Sequence, residues 1–317
     1  MLPTNFLPAR LHGFFEKAPL LALIGRTPLV ELTLFRAELP DCRFFAKVES
    51  VNPGGSIKDR SVRRMLLEAL ASGALGPGKT ILDSSSGNAG IAYAMIGAAL
   101  KLPVELVVPG NASLERKERI RAHGAKLIET DASEGYDAAL REAHRRRHEA
   151  PDRYFMPDQY RNEFNWRAHY EETAGEILEQ TGGQITHFVS GVGTGGTITG
   201  VGRRLKEAIP GLRVGMIWPE TFPGIEGLKP LDEPGVFIPP IFDASVVDER
   251  VPISADDAYA FCQRIALQTG FFVGQSSGGY LKGAYEIARR ERKGTYVTIF
   301  NDLGERYFST RLWSENV

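Results

Sequence analysis

From about residue 40 onward, the chain alternates apolar runs of strand length with amphipathic segments of helical period. Buried strands are predicted for the runs RFFAKVE, TILDS, PVELVVP, AKLIET, THFVSG, RVGMIWPE and TYVTIFND. Helices are predicted for DRSVRRMLLEALAS, GIAYAMIGAALK, SLERKERIRAHG, ITGVGRRLKEAI and SADDAYAFCQRIALQ. Strands that alternate with helices form βαβ units and parallel sheets, so the chain is predicted to be an α/β protein. Because 317 residues exceed the usual size of one core, two lobes are expected.

The bulk composition excludes several classes of function. A formal net charge of −1 supplies no overall field for nucleic acid or an anionic membrane, so neither is an expected partner. The one basic run, at 141–150, has helical spacing and predicts a solvated helix face. No apolar stretch approaches the roughly 20 residues that span a bilayer, and the N-terminus lacks a secretory pattern, which predicts a cytoplasmic protein. Cys42 and Cys262 stand far apart, which favours two buried free thiols over a disulfide or a metal site.

Three glycine-rich or serine-rich turns each precede a predicted helix: DSSSGNAG at 83–90, GVGTGGTITG at 191–200 and GQSSGG at 274–279. In α/β proteins, ligands bind where strands end and helices begin. Backbone N–H groups are unpaired there and the helix dipole is positive, so each turn can bind an anion. Three such turns with hydroxyl groups indicate a ligand with more than one acidic group.

The second turn allows two interpretations. Gly191, Gly193 and Gly196 spell the dinucleotide fingerprint, and Glu220 ends the next predicted strand in about the place of a ribose-binding acid. An NAD(P)- or flavin-dependent oxidoreductase is therefore one alternative. That fingerprint normally opens the first βαβ unit of its domain, however, and an oxidoreductase leaves the other two turns unexplained. The second interpretation is a cup for a single phosphate.

A lysine occupies an unfavourable position in the segment NPGGSIKDR. Ser56 and Asp59 have the spacing of a capping box, which starts the helix at Ile57 and places Lys58 at its second position. A cation there opposes the helix dipole, typically by ~0.3–1 kcal/mol. The same field favours the neutral amine, which is a nucleophile that forms an imine with an aldehyde.

A lysine imine, a phosphate cup and a second anion-binding turn together indicate pyridoxal phosphate (PLP) with an amino-acid substrate. From IGRTPLVEL at 24–32 to DLGERY at 302–307, the chain resembles the PLP-dependent cysteine synthases and their relatives of fold type II. The resemblance implies two αβα lobes with mostly parallel central sheets, the cofactor in the cleft, and a homodimer. It implies a smaller, mobile lobe at 52–160, and a larger lobe formed by 1–51 and 161–317.

The family's motifs assign site residues in this sequence. Lys58 is implied as the Schiff-base lysine, Ser276 as the residue facing the pyridine nitrogen, and Gln159 as a substrate contact. The substrate carboxylate is implied to bind to Ser85, Ser86, Gly87, Asn88 and Ala89, of which Asn88 also bonds to the oxygen of the cofactor's ring hydroxyl. The cofactor phosphate is implied to bind to Gly193, Thr194, Gly195, Gly196 and Thr197.

The resemblance also implies a reaction. A serine hydroxyl at the pyridine nitrogen does not supply the proton that a carboxylate would hold there, so the ring is a weaker electron sink. That suits α,β-elimination of a good leaving group, with Lys58 removing the α-proton. The implied reaction is β-replacement, in which O-acetylserine or O-phosphoserine loses acetate or phosphate to give an aminoacrylate. Sulfide or another sulfur donor then adds, which gives L-cysteine.

The sequence departs from the family pattern at two places. Ala89 stands where threonine is common, which removes one hydroxyl from the carboxylate loop. Glu163 and Phe164 stand where many cysteine synthases have Pro-Ala. A similar N-E-x-N-W pattern occurs in relatives that make 2,3-diaminopropionate with an amine nucleophile. That reaction and a non-catalytic, regulatory family member are the alternatives within the family.

A basic residue is expected if the substrate carries a phosphate. In relatives that use O-phosphoserine, such a residue pairs with the substrate phosphate in the region of GIEGLKPLDEPGVFIPP. Lys229 is the candidate in this chain, and a solvated lysine in a surface loop is the alternative.

Overall fold

The computed structural model describes residues 6–233 and 235–313, which form ten strands and ten α-helices. The strands are β1 Leu29–Leu32, β2 Cys42–Val48, β3 Thr80–Asp83, β4 Val104–Pro109, β5 Lys126–Thr130, β6 Tyr154–Phe155, β7 His187–Ser190, β8 Arg213–Pro219, β9 Glu249–Ile253 and β10 Gly294–Phe300. The helices are α1 Gly13–Lys17, α2 Lys58–Ala71, α3 Asn88–Ala99, α4 Leu114–Ala122, α5 Gly135–Glu149, α6 Glu163–Ala168, α7 Ala174–Thr181, α8 Gly196–Ala208, α9 Ala255–Thr269 and α10 Gln275–Glu291. A π-helical turn, His169–Thr173, joins α6 to α7.

The first of two compact units contains the described residues up to Ile24 together with Asn52–Asn165. Its four parallel strands lie in the order β5-β4-β3-β6. The strands β3 and β4 are buried along their whole length, as expected for parallel strands covered on both faces. Val62 and Leu66 of α2 pack in one apolar core with Ile91 of α3.

The N-terminal segment belongs to the core of this first unit. The side chains of Leu11 and Leu21 are fully buried in that core. The buried guanidinium of Arg63, on α2, donates hydrogen bonds to the carbonyl oxygens of Leu21 and Ile24, each 2.8 Å long. The sequence predicts residues 1–51 in the larger lobe, but residues 6–24 pack here because their apolar side chains and carbonyl groups complete the surroundings of α2.

The second unit contains Gly25–Val51 and the described residues from Trp166 onward. Its six strands lie in the order β1-β2-β10-β7-β8-β9, with β1 antiparallel to β2 and the others parallel. The central strand β7 is buried along its whole length, and its neighbour β10 is buried from Tyr296 to Phe300. Because β7 and β10 are parallel neighbours, the segments that follow Ser190 and Phe300 leave the same edge of the sheet side by side.

Every strand and helix predicted from the alternation is present, with small shifts in its bounds. The sequence does not predict β1, β6 and β9, which are all edge strands. Such strands are partly exposed, so their side chains lack the continuous apolar pattern of a central parallel strand. The basic run is confirmed as a solvated face of α5, where Arg145 pairs with Glu142 and Glu149.

The two cysteines have the environment that the sequence predicts. Cys42 and Cys262 are both buried and free, as predicted. Burial raises the pKa of Cys262 to about 12, so its thiolate is disfavoured at neutral pH.

Within residues 6–233 and 235–313, no helix combines the length and the hydrophobicity needed to cross a membrane.

Candidate active site

Lys58 is the first residue of α2, one position earlier in the helix than the sequence predicts. The predicted capping box is wrong, because both of its members have other partners. Ser56 Oγ accepts a hydrogen bond from Lys58 N–H at 3.3 Å, and the Asp59 carboxylate accepts one from Gly54 N–H at 2.5 Å. A Cβ atom on Gly54 would collide with that carboxylate, so the tight turn before Lys58 requires glycine there.

The first anion-binding turn connects β3 to α3. Ser85 Oγ accepts a hydrogen bond from Gly90 N–H at 3.1 Å, which closes the turn onto the start of the helix. The residues Ser86–Asn88 are partly exposed at the positive end of α3 and are therefore accessible to an anion. The Ala89 side chain packs in the apolar core, which accounts for alanine where the family often has threonine.

A tyrosine from α5 supports this turn. Tyr136 Oη donates a hydrogen bond of 2.7 Å to the carbonyl oxygen of Ser84 and lies 3.5 Å from the hydroxyl of Tyr160. Tyr160 directly follows Gln159, which is buried and whose carbonyl oxygen accepts a hydrogen bond from Asn165 Nδ2 at 2.6 Å. The tyrosine pair therefore connects the two segments predicted to contact substrate. The sequence shows no signal for Tyr136, since it lies on a polar helix 52 residues from Ser84.

A buried carboxyl group lies at the start of the same turn. Asp83 Oδ1 accepts a hydrogen bond of 2.7 Å from Ser84 N–H. Burial raises the pKa of Asp83 to about 6, outweighing the opposite effect of that hydrogen bond. The turn therefore contains a carboxyl group that changes its charge in weakly acidic solution.

The second turn, between β7 and α8, lies in close contact with Gly227 and Phe242. Gly195 has a left-handed φ of +84°, and a Cβ atom on it would lie 2.6 Å from Phe242. A Cβ atom on Gly193 would collide with the carbonyl oxygen of Gly227. Thr194 Oγ1 accepts a hydrogen bond from Gly196 N–H at 3.3 Å. Only glycine permits this close backbone packing at positions 193 and 195.

His169, from the π-helical turn, lies beside this cup. Its Nε2 is 3.3 Å from Thr197 Oγ1, and its Nδ1 is 3.0 Å from Thr173 Oγ1. A Cβ atom on Gly200 would collide with the carbonyl oxygen of Trp166, so α8 packs directly against this part of the chain. No motif in the sequence predicts His169 as a site residue, although a π-helical turn is often found at functional sites.

The third turn is held by the residue that follows β10. Ser276, the second residue of α10, is buried, and its Oγ accepts a hydrogen bond of 2.9 Å from Asn301 Nδ2. The backbone N–H of Asn301 donates a second one, also 2.9 Å long, to Ser277 Oγ. Because β10 lies beside β7, Ser276 and the cup are at the same edge of this unit's sheet.

The irregular segment between β8 and β9 packs on both of these turns. Lys229 N–H donates a hydrogen bond of 2.8 Å to the carbonyl oxygen of Val192, and Glu226 N–H donates one of 3.0 Å to Gln275 Oε1. The half-buried Lys229 ammonium lies 5.9 Å from the centre of the Phe237 ring. The segment is therefore part of the region around the cup, with Lys229 at its border.

Glu220 has a structural role that differs from the one suggested by the dinucleotide interpretation. Its Oε1 accepts a hydrogen bond of 2.7 Å from Ala255 N–H, at the first residue of α9. A carboxylate at that position stabilises the positive end of the helix. Glu220 thus caps α9, and the fingerprint lacks its ribose-binding acid.

The structure brings the predicted residues together in two groups, one in each unit. In the first unit, Ser85–Ala89 and Gln159 are connected through Tyr136, and Lys58 begins a helix that shares their apolar core. In the second unit, the cup of Gly193–Thr197, Ser276 and Lys229 lie close together at one sheet edge.

A further group of titratable side chains lies at the opposite edge of the second sheet. His187, Glu249 and Glu291 offer ligand atoms within 4.8 Å of one another. Arg213 is ion-paired with both carboxylates, and Arg290 with Glu249. Burial lowers the pKa of His187 despite the nearby Glu291. We assign this group to an arginine-bridged ion network that joins β7, β8, β9 and α10.

Known proteins match the chain over almost its whole length. The family model described as "Pyridoxal-phosphate dependent enzyme" matches residues 20–302. A cysteine synthase from Aquifex aeolicus is 46% identical over 303 residues, which cover 93% of this chain and 92% of the relative. The crystal structure of O-ureido-L-serine synthase superimposes with a TM-score of 0.87 at 37% identity and covers 94% of this chain and 95% of its own. The crystal structure of cysteine synthase from Entamoeba histolytica has a TM-score of 0.87 at 35% identity, with coverages of 93% and 90%.

Proposed function

Since the chain belongs to the pyridoxal-phosphate-dependent enzyme family, we propose that it makes L-cysteine by β-replacement on an activated L-serine. The observation that carries this proposal is the glycine cup between β7 and α8, with Ser276 beside it. Relatives named cysteine synthase that match nearly the whole chain support the reaction.

The cup fits the phosphate of the cofactor. Its glycines allow the backbone to pack closely, and the N–H groups at the start of α8 form a positive helix end that favours an anion. We assign the phosphate to Gly193–Thr197, where the hydroxyls of Thr194 and Thr197 are further donors. His169 would hold the Thr197 side chain in place.

Two residues are proposed to act on the rest of the cofactor. PLP, when bound, supplies an electron sink that acidifies the α-C–H bond of an amino acid. Lys58 is assigned as its point of attachment and, once displaced by the substrate amine, as the base that takes the α-proton. Ser276 is assigned to the ring nitrogen, and Asn88 to the ring hydroxyl oxygen.

The first unit's turn is proposed to bind the substrate carboxylate. The residues Ser85–Ala89 lie at the N-terminus of α3, which favours an anion, and Ser86–Asn88 among them are partly exposed. Gln159 is assigned as a second contact, and Tyr136 links the two segments. The leaving group departs from Cβ with the C–O electron pair, sulfide donates a new pair to the same carbon, and Lys58 returns the proton to Cα.

Lys229 is proposed to decide which leaving groups the enzyme accepts. Its position beside the cup suits a contact with a phosphate on the substrate side chain. We therefore include O-phosphoserine with O-acetylserine as substrates.

We also propose a cytoplasmic homodimer. Phe222, Leu267 and Phe308 are strongly exposed, and we assign them to the surface that a second copy of the chain covers. Two buried free thiols agree with a reducing compartment. Sedimentation equilibrium of the purified protein tests the dimer, which a purely monomeric distribution would contradict.

Steady-state turnover tests the main proposal. The purified protein should be yellow, and borohydride should fix the chromophore covalently on Lys58. With sulfide, it should convert O-acetylserine or O-phosphoserine to cysteine, measured by a cysteine-specific colour reaction, and Lys58→Ala should abolish the conversion. A colourless protein that takes up no PLP contradicts the cofactor assignment. A PLP-bound protein that forms no cysteine from either substrate favours a non-catalytic family member.

A further inference from the structure

We propose that Asn301 is a positioning residue that fixes the Ser276 hydroxyl as a hydrogen-bond donor and so keeps the ring nitrogen of the bound cofactor unprotonated. The inference rests on the proposed function, which places Ser276 opposite that nitrogen. It adds a residue whose effect on the reaction is transmitted through another side chain.

Asn301 holds the third turn at two points. Its side-chain Nδ2 donates to Ser276 Oγ, and its backbone N–H donates to Ser277 Oγ, each at 2.9 Å. Asn301 itself is anchored because it directly follows β10, a central strand of the sheet. Both serines are buried, so water does not compete for these hydrogen bonds. The orientation of the Ser276 hydroxyl is therefore set by the sheet and not by solvent.

The hydroxyl group of Ser276 has one proton and two acceptor lone pairs. The Asn301 amide uses one lone pair, so the proton must point toward a different partner. Within the described chain, Asn301 is the one protein group that is hydrogen-bonded to Ser276 Oγ. The proton thus remains for a ligand atom, and that atom must be an acceptor.

The direction of this hydrogen bond decides the state of the ring nitrogen. An unprotonated pyridine nitrogen is an acceptor, whereas a protonated one is a donor. The Ser276 hydroxyl accepts a hydrogen bond from Asn301 and can donate its own proton to the ring nitrogen. It therefore stabilises the unprotonated nitrogen. A carboxylate in place of the amide would instead accept the Ser276 proton and turn a lone pair toward the ring, which stabilises the protonated nitrogen.

The ring nitrogen can be observed directly in the holoenzyme. The wild type and its variants are reconstituted with PLP labelled with ¹⁵N in the ring, and the ¹⁵N chemical shift is recorded as a function of pH. The variants are the near-isosteric Asn301→Asp, a second variant Asn301→Ala, and Ser276→Ala. The matched control is Thr298→Val, since Thr298 lies on β10 just before Asn301 and its buried Oγ1 donates to the carbonyl oxygen of Val189 at 3.1 Å.

The wild type should show an unprotonated, hydrogen-bonded nitrogen at neutral pH. In Asn301→Asp the protonation equilibrium should shift toward the protonated form by about tenfold or more, the effect expected of one charge-assisted hydrogen bond. Asn301→Ala should weaken the hydrogen bond without reversing it, and adding Asn301→Ala to Ser276→Ala should have no further effect. Thr298→Val should lower the melting temperature and leave the signal unchanged.

Several results overturn the inference. If the ring nitrogen of the wild type is protonated at neutral pH, the inference is overturned by the wild type alone. An unchanged signal in both Asn301 variants, with a changed one in Ser276→Ala, overturns the role of Asn301 and leaves the proposed function standing. If Thr298→Val changes the ¹⁵N chemical shift by the same amount as the Asn301 variants, the effect is one of general packing, and the inference is overturned as well. A wild type that takes up no PLP overturns both this inference and the proposed function.

Discussion

His169 Nε2 lies 3.3 Å from Thr197 Oγ1, so one pair of side chains joins the π-helical turn to the glycine cup across 28 residues of sequence. The histidine is almost completely buried, and its other ring nitrogen is held by Thr173. Its ring is therefore fixed in one orientation. A fixed ring can keep the Thr197 hydroxyl directed at a phosphate in the cup.

Replacing His169 by alanine should weaken the binding of PLP. The loss of one neutral hydrogen bond is worth about 1 kcal/mol, so the dissociation constant should rise by about fivefold. Spectrophotometric titration of the apoenzyme with PLP measures this constant. Tyr170→Phe is the matched control, because it removes a hydroxyl of the same turn that bonds to Glu207 at the surface. Equal losses in the two variants would contradict the role given to His169.

Removing the hydroxyl of Tyr136 should affect the substrate and not the cofactor. In Tyr136→Phe, the carbonyl of Ser84 loses its 2.7 Å hydrogen bond and the carboxylate turn becomes less ordered. The KM for O-acetylserine should rise by about fivefold, as expected for about 1 kcal/mol, while the affinity for PLP is unchanged. Tyr154→Phe, which breaks a hydrogen bond of 2.8 Å to Glu105 in the same unit, should lower stability with no change in KM. An unchanged KM in Tyr136→Phe would sink the prediction.

Lys229→Ala should distinguish between the two leaving groups. An ammonium beside the cup contributes a charge-assisted contact to a substrate phosphate, so kcat/KM for O-phosphoserine should fall by about tenfold or more. The value for O-acetylserine, which is neutral at that end, should fall by less than about twofold. Lys206→Ala, which removes a surface ion pair with Asp248, is the control. If kcat/KM falls equally for both substrates, or for neither, Lys229 does not contact the substrate phosphate.

The stability of the protein should fall as the pH rises through about 6, because of Asp83. Burial raises the pKa of its folded-state carboxyl to about 6. Between the ordinary carboxyl pKa near 4 and that value, the folded state binds more protons than the unfolded one. The stabilising contribution is therefore complete below about pH 4 and lost above about pH 6, by roughly 2–3 kcal/mol.

Asp83→Asn tests this expectation, since an amide oxygen can still accept the hydrogen bond from Ser84 N–H. Urea unfolding is measured from acidic to neutral pH. The free energy of unfolding of the variant should increase relative to that of the wild type as the pH rises. Parallel curves for the two proteins across this range would show that Asp83 does not titrate as stated.

The elements of the fold were predictable where they are buried on both faces. The runs that form β3, β4 and β7 are buried at every position and have apolar residues at their centres, which is the pattern of a covered parallel strand. In β9, exposed and buried residues alternate around Pro252, so the sequence lacks that pattern. Proline suits an edge strand because one side of such a strand needs no hydrogen-bond donor.

The same distinction applies to the site. The turns that open α3, α8 and α10 are visible in the sequence, because glycine and serine are concentrated there for reasons of local backbone geometry. Asn301 and His169 lie far along the chain from the residues they contact. Nothing in their sequence neighbourhood indicates these contacts, which the sheet order and the packing of α8 create.

The two hydrogen bonds from Arg63 to the carbonyl oxygens of Leu21 and Ile24 also bear on how the protein folds. They connect residues 42 and 39 positions apart, and Arg63 lies on the helix that begins with Lys58. Leu21 and Ile24 therefore obtain these hydrogen-bond donors only when α2 has formed. Contacts of such long sequence separation slow folding because the loop between them must close first. The docking of the N-terminal segment on α2 should therefore be a slow step in the folding of the first unit.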